Sequence, residues 1–225
     1  MKIIYSILVF CISISLSAQE GKDNVVGKFK ELKVYDRIEV ELIKSDENRV
    51  VVSGNNREDV VIVHKKDILK IRMTLEEAFD GAKTTVKVYY TNLEIIDSNE
   101  GAIVKSRDPI EQFELEIKAQ EGGKVRLNVM TITFLDVKAI SGGSIDVSGS
   151  AKHQSVDINT GGTYDGKDLV TEKTTVTIKA AGTAYIHATK EVIAKVRAGG
   201  SVYVYGNPEK LDENTILGGK IVIKE

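Results

Sequence analysis

The sequence is poor in several residue types, and each shortage excludes a class of protein. It contains 1 cysteine, 2 prolines and no tryptophan in 225 residues. A single cysteine cannot build a disulfide framework. The formal net charge of -2 lacks the basic excess that contacts with nucleic-acid phosphates require, so we expect no nucleic-acid partner.

The hydrophobic run at the start of the chain is too short to act as a membrane anchor. It extends from Ile3 to Leu16, or 14 residues, where a bilayer requires roughly 20. It follows Lys2 and precedes the small residues Ser17 and Ala18, which is the pattern of a secretory signal peptide. We therefore predict a signal peptide over residues 1–18, cleaved after Ala18. Cys11 is lost with it, and the exported mature chain has no transmembrane segment. The sequence leaves open a periplasmic, outer-surface or secreted location.

The abundant hydrophobic residues are β-branched. From Gln19 onward there are 25 valines and 20 isoleucines, against 11 leucines and 12 alanines. Valine and isoleucine fit the pleated surface of a strand better than the crowded turn of a helix. This composition predicts an all-β fold.

Pairs of small residues recur at a nearly constant interval in the second half of the chain. The six pairs are Gly122-Gly123, Gly142-Gly143, Gly161-Gly162, Ala181-Gly182, Gly199-Gly200 and Gly218-Gly219. Their second members are 20, 19, 20, 18 and 19 residues apart. Each pair predicts a corner at which a side chain would clash or φ is positive. A second, less regular corner is indicated by Gly149, Gly166 and Gly206-Asn207-Pro208.

Side chains around each pair alternate in polarity with one shared register. Positions an even number of residues from the second glycine are mainly apolar, as at Val125, Ile145 and Val202, whereas odd positions carry residues such as Arg126 and Lys138. A period of two predicts strands with one buried face. We predict a parallel β-solenoid of about six coils over residues 93–225. A hairpin-based β-sandwich is the alternative, although sandwiches show closer turn signals and no fixed register.

The first half of the mature chain, residues 19–92, is rich in strands but shows no clear repeat. Strand-like segments cover residues 37–43, 49–52, 59–64, 68–73 and 84–89. Spacing of about ten residues is typical of an antiparallel meander. Because the open end of an apolar column must be covered, we expect these strands to form an N-terminal cap that is continuous with the solenoid.

Several segments resemble a known family. They are Tyr35-Asp-Arg-Ile-Glu-Val40, Ala198-Gly-Gly-Ser-Val-Tyr-Val-Tyr-Gly-Asn-Pro208 and Leu217-Gly-Gly-Lys-Ile221. Together with the export signal, they resemble the head-GIN-domain proteins called putative auto-transporter adhesins, which are exported by Bacteroidetes-type bacteria. The resemblance covers about residues 28–224, although this chain has adjacent glycines where the family usually has Gly-x-Gly. It implies a right-handed parallel β-helix at or outside the cell envelope. The family has no established catalytic residues, so none is carried over to this chain.

No metal or cofactor is expected from the sequence. The three histidines, His64, His153 and His187, are far apart, and none has a second histidine or a cysteine at ligand spacing. His64 follows a strand-like segment, and His153 is predicted to lie in a polar turn. We expect structural or solvated roles for both.

The register predicts which outward side chains become neighbours when the coils stack. Three residues after each second glycine stand Arg126, Asp146, Asp165, Tyr185, Tyr203 and Val222. Five residues after it stand Asn128, Ser148, Lys167, His187, Tyr205 and Lys224. Asp146 and Asp165 are candidates for an acid/base pair or for holding a cation; the alternative is that Arg126 and Lys167 only neutralise them. A partner could bind to an aromatic group with a neighbouring cation, which consists of Tyr185, Tyr203, Tyr205, His187 and Arg126. The alternative is that these side chains form a stacking ladder that only stabilises the coils.

Three functions remain open at this point. The first is a non-enzymatic, adhesin-like protein that binds glycan or a cell-envelope protein through the outer face of its coils. The second is a polysaccharide-active β-helix enzyme that uses Asp146 and Asp165, and the third is a structural envelope component. The corner residues Gly123, Gly143, Gly162, Gly182, Gly200, Gly219, Asn207 and Pro208 have structural roles in all three. The oligomeric state is not indicated.

Overall fold

A computed structural model describes residues 22–224. Of residues 22–224, 66% lie in strands and 3% in helices, which confirms the all-β prediction. The fold is a β-solenoid of about six turns. The predicted signal peptide, residues 1–18 with Cys11, lies outside the described residues. No helix within 22–224 combines the length and the apolar character that a membrane crossing requires.

The strands follow one another along the chain with short turns between them. They are β1 Lys22–Val25, β2 Glu31–Val34, β3 Glu39–Lys44, β4 Arg49–Gly54, β5 Val60–Lys65, β6 Ile68–Met73, β7 Thr84–Tyr90, β8 Ile95–Ser98, β9 Ile103–Ser106, β10 Ile110–Glu111, β11 Glu114–Ala119, β12 Lys124–Ile140, β13 Ser144–Asn159, β14 Thr163–Ile178, β15 Thr183–Val196, β16 Ser201–Tyr205, β17 Lys210–Thr215 and β18 Lys220–Ile223. Two short 3-10 turns occur at Arg57–Asp59 and Gly81–Lys83.

The predicted coils are confirmed by the strand pairing of the second half. The long strands β12 to β15 bend around the solenoid, and each pairs in parallel with the next. The segments just after the glycine corners form one sheet face, which we call the first face: residues 103–106, 124–129, 144–149, 163–166, 183–187, 201–205 and 220–223. The segments before the next corner form the second face: residues 95–98, 114–119, 134–140, 153–158, 173–178, 191–196 and 210–215.

The first half of the chain is only partly the antiparallel meander that its spacing predicts. β1 and β7 pair antiparallel with β4, and β5 pairs antiparallel with β6, so these strands cap one end of the stack. In contrast, β2 lies in parallel between β6 and β8, and β3 lies in parallel between β7 and β9. The earliest coil is therefore built into the stack, because its alternating apolar side chains match the register of the coils on both sides.

The solenoid interior is filled by the residues that the alternation predicts to be buried. One position of this column is occupied in five successive coils by Val125, Ile145, Tyr164, Ala184 and Val202. Each of these side chains is at most 2% exposed. Removing such side chains from water contributes about 25 cal/mol per Å² of apolar surface. This column holds the coils together and leaves their outer surface free for other roles.

The two glycines of a corner have different tasks, as Gly142 and Gly143 show. Ser141 and Gly142 have φ values of 50° and 75°, and a Cβ added to Gly142 would meet nothing within 4 Å. Gly143 does not need a positive φ, but its Cβ would lie 2.0 Å from the carbonyl oxygen of Ala119 in the preceding coil. The first glycine is therefore needed for its positive φ. The second is needed because a side chain there would clash with the preceding coil.

The remaining predicted turn residues do not all divide in this way, because the second glycines Gly182 and Gly200 combine a positive φ with a close contact to the preceding coil. The Ala181-Gly182 corner takes positive φ at both residues, 49° and 126°. Gly149, Gly206 and Asn207 also have positive φ. Gly166 is different: it is not at positive φ, and its Cβ would lie 2.3 Å from the hydroxyl of Tyr164. Gly166 is thus an interior position that makes room for a tyrosine, and is not a second-corner glycine as the sequence suggested.

A polar network surrounds that tyrosine inside the apolar column. The Tyr164 hydroxyl accepts a hydrogen bond from the side-chain amide of Gln154. The Gln154 carbonyl oxygen accepts one from Thr174 at 3.1 Å, and the Thr174 and Thr171 hydroxyl oxygens are 2.8 Å apart. Burial raises the pKa of the Tyr164 phenol, against the opposing effect of the Gln154 hydrogen bond. The phenol is therefore neutral and pairs with a neutral amide.

The corner geometry predicts unequal effects of two neighbouring substitutions. Gly143→Ala forces a Cβ into a backbone carbonyl, and we expect a loss of about 3 kcal/mol in the free energy of unfolding. Gly142→Ala places a side chain in open space at positive φ, and we expect a loss of about 1 kcal/mol. Urea unfolding followed by circular dichroism measures both. Equal losses would contradict the separation of the two tasks.

The interior network predicts coupling between Tyr164 and Gln154. Tyr164→Phe leaves the buried N–H group of the Gln154 amide unpaired and Gln154→Leu leaves the Tyr164 hydroxyl unpaired, so each is expected to cost about 1–3 kcal/mol of stability. The double variant removes both polar partners and should cost less than the sum of the single losses. Thermal or urea unfolding of all four proteins tests this, and simple additivity would refute the pairing.

Candidate binding face

The first face carries an outward row of side chains in the register predicted from the glycines. Strand pairing sets Arg126 beside Asp146, Asp146 beside Asp165, Asp165 beside Tyr185, and Tyr185 beside Tyr203. His187 is paired with Tyr205 in the same two coils as the last pair. We call Asp146, Asp165, Tyr185, Tyr203, His187 and Tyr205 together the tyrosine face.

The acidic half of this face is ion-paired. Arg126 Nε lies 3.1 Å from Asp146 Oδ2, with the two side chains 79% and 48% exposed. Lys167 Nζ lies 3.4 Å from Asp165 Oδ2, and the Lys167 backbone N–H donates to Asp165 Oδ1 at 3.3 Å. Each aspartate therefore has its own cation on an open strand surface.

The aromatic half is a stack that runs along the solenoid axis. The rings of Tyr185 and Tyr203 have centroids 4.9 Å apart and planes inclined by 11°. Lys224 Nζ lies 5.6 Å from the Tyr203 ring centroid. Because the rings face each other, they present edges to the solvent. Such a stack contributes about 0.5–1.5 kcal/mol beyond its buried area.

The row predicted five residues after the second glycine is only partly formed. Asn128 is paired with Ser148, and His187 with Tyr205. Register shifts after Asp146 in β13 and after Gly166 in β14 move Lys167 out of the row, so that Val170 is the backbone partner of His187. The Lys167 carbonyl oxygen still lies 3.0 Å from His187 Nδ1. The sequence register fails here because it does not reveal residues that bulge between paired strands.

A row of hydroxyl groups, which the sequence analysis passed over, lies on the same face. The row consists of Ser144, Thr163, Thr183 and Ser201, and each residue is the strand partner of the next. Each one stands one residue after a second glycine. All four are half-buried. They are two residues before the aspartate and tyrosine row, so the two rows run in parallel about 7 Å apart. In the sequence, this row is identifiable because a serine or threonine directly follows the second glycine in four successive coils.

A second aromatic group lies at the start of the second face, with Phe113 directly before β11. Phe113 and Phe134 have ring centroids 5.5 Å apart at 72°, and Phe134 stacks on His153 at 5.3 Å and 20°. We call these three residues the phenylalanine patch. His153 lies within β13 and is the strand partner of Phe134, so its predicted position in a polar turn is wrong. Phe134 and His153 both stand nine residues before a second glycine, which is the offset that identifies the row.

The other histidines do not form a metal site. His64 Nε2 lies 3.0 Å from the carbonyl oxygen of Lys28. Within residues 22–224, no three histidine, cysteine, aspartate or glutamate side chains are grouped in a way that would hold a metal ion.

A family model described as "Putative auto-transporter adhesin, head GIN domain" matches residues 28–208. Among solved structures, a putative adhesin from Bacteroides fragilis is similar, with a TM-score of 0.81, 16% identity and coverage of 90% of this chain and 95% of the other. A putative lipid binding protein from Parabacteroides distasonis has a TM-score of 0.70, 18% identity and coverage of 92% and 96%. A putative adhesin from Parabacteroides merdae has a TM-score of 0.62, 17% identity and coverage of 91% and 95%. No curated protein matches the chain.

The exposure of the Arg126–Asp146 pair predicts a small role in stability. Solvent-exposed ion pairs contribute about 0–1 kcal/mol. Arg126→Gln and Asp146→Asn should each change the free energy of unfolding by less than about 1 kcal/mol, measured by urea denaturation. A loss near that of Gly143→Ala would show instead that the pair supports the fold.

Proposed function

Since the chain belongs to the family described as putative auto-transporter adhesin, head GIN domain, we propose that it is an exported, non-enzymatic adhesin-like protein whose tyrosine face binds a repetitive glycan. The observation that carries the proposal is the in-register stack of Tyr185 and Tyr203 beside a row of hydroxyl groups. Both lie on parallel strands whose positions are fixed by the buried column.

The spacing of the face suits a ligand with a repeat of its own. Adjacent coils are about 4.8 Å apart, so each coil offers one hydroxyl and one aspartate or tyrosine at the same interval. Serine and threonine hydroxyls donate and accept hydrogen bonds, and aspartate carboxylates accept them. A chain of sugar units carries hydroxyls that meet both kinds of partner, and it presents them repeatedly along its length.

The stacking of the two rings determines which part of each tyrosine can contact a ligand. Because Tyr185 and Tyr203 face each other, their outward edges contact a ligand while the stack fixes their orientation. Side chains that are already ordered lose little conformational entropy on binding. Rigid amphipathic aromatic residues are also the usual centres of binding energy at interfaces.

The ion pairs of the acidic half favour binding over catalysis. A glycoside hydrolase with two carboxylates keeps one of them protonated by burial in a hydrophobic pocket. Asp146 and Asp165 lie on an open strand face, where Arg126 and Lys167 pair with them. These cations and the hydroxyl row together form a surface for hydrogen bonding with a polar ligand.

Substitution on the tyrosine face should abolish most glycan binding. With the mature chain, residues 19–225, on a glycan array, Tyr203→Ala is expected to weaken binding about tenfold or more, as for a central aromatic contact. Phe134→Ala removes an exposed ring from the second face and should leave binding unchanged. Tyr203→Phe keeps the stack and separates the loss of the hydroxyl from the loss of the ring.

A polysaccharide-degradation assay on the same samples separates binding from turnover. We expect no release of reducing sugar from wild type. Release by wild type that is lost in Asp165→Asn would establish the enzyme instead. If no glycan binds and none is degraded, the glycan proposal is wrong, and an envelope protein becomes the partner to seek by cross-linking at Tyr203.

A further inference from the structure

The phenylalanine patch lies on the second face and has no part in the proposed glycan site. Phe113 is 65% exposed and Phe134 is 46% exposed. Their planes meet at 72°, so the two rings form the walls of an open corner. Leaving two phenylalanine rings in water is unfavourable, and contiguous exposed apolar surface is a feature of interaction sites.

Carboxylates adjoin the patch on the same strands. Glu114 is the strand partner of Phe134, and Asp136 is two residues further along β12 and is paired with Glu116. One shallow cavity of about 210 Å³ is lined by four carboxylates, those of Glu94, Glu114, Glu116 and Asp136. Four carboxylates are therefore gathered next to the aromatic corner.

The lysines nearby neutralise only part of this charge. Glu94 is 2.9 Å from Lys30 Nζ, and Glu116 is paired with both Lys118 and Lys138. Within the described chain, residues 22–224, Glu114 and Asp136 form no ion pair with a lysine or arginine, and both are exposed. Two carboxylates beside the rings are thus available to an incoming cation.

We propose that the phenylalanine patch, with Glu114 and Asp136, is a docking surface for a basic polypeptide segment that inserts an arginine or lysine side chain between the rings and the carboxylates. A guanidinium or ammonium group is attracted to the face of an aromatic ring and to a carboxylate, while its alkyl stem covers apolar surface. The corner supplies both contacts at one point. Arginine fits it best, because its planar group stacks on a ring and bonds a carboxylate through two N–H groups.

The protein offers internal controls for testing this surface. Phe29, Phe79, Phe113 and Phe134 are the four phenylalanines of residues 19–225. Phe29 is buried, whereas Phe79 is 52% exposed and lies outside the patch, in the segment between β6 and β7. With ring-labelled phenylalanine, an NMR titration reads the four sites separately in the intact mature chain.

The probe is a short glycine peptide with two arginines, compared with the same peptide carrying citrulline, which has nearly the same shape and no charge. We expect the arginine peptide to shift the signals of Phe113 and Phe134 but not those of Phe29 and Phe79. Phe134→Thr, which retains a strand-forming residue, and Glu114→Gln should each raise the dissociation constant about fivefold. Tyr203→Ala should leave it unchanged, so that this result is independent of glycan binding.

Three outcomes would overturn the proposal. Equal shifts with arginine and citrulline peptides would show that charge is not recognised. Equal shifts of Phe79 and Phe113 would show a general attraction of cations to the surface. The absence of any shift at millimolar peptide would show that the corner does not bind basic segments.

Discussion

The close approach of the backbone to the preceding coil at corners such as Gly143 is the constraint on which the other features of this protein depend. Gly143 packs against the carbonyl oxygen of Ala119 at a separation that excludes any side chain, and Gly123 and Gly162 meet the preceding coil in the same way. The chain can therefore make this turn at the glycine pair of each coil, but not at the neighbouring positions, where a side chain would be present. Once the turn is placed, alternation along the strand decides which side chains face inward. The buried column and both outer faces follow from that one contact.

This dependence explains which features the sequence could predict. The glycine interval identifies the corner, and counting from it correctly places Arg126, Asp146, Asp165, Tyr185 and Tyr203 in one row. The offset of nine residues before the second glycine likewise places Phe134 and His153 in one row, whereas Phe113 lies one residue outside that register. Prediction fails where register changes within a coil, as it does between Asp146 and Gly149, because bulged residues leave no compositional trace.

Two other features depend on contacts between distant parts of the chain. Gly166 resembles a turn glycine in the sequence, and its role is visible only when the Tyr164 hydroxyl is seen to occupy the space of its missing side chain. The placement of β2 between β6 and β8 likewise depends on matching apolar registers, which local spacing does not report. Local patterns thus define each coil, whereas the order of the coils and the filling of their interior are decided by packing.

The position of β2 and β3 also constrains how the stack can assemble. These strands lie between a coil formed by β6 and β7 and another formed by β8 and β9, so their neighbours on both sides come later in the chain. A chain that emerges from its amino terminus must hold this first pair of strands without a partner until the following segments arrive. Contacts over such sequence separations slow folding. The capped end of the solenoid is consequently closed by contacts between segments that are distant in the chain, whereas each regular coil from β11 onward pairs with the coil that directly precedes it.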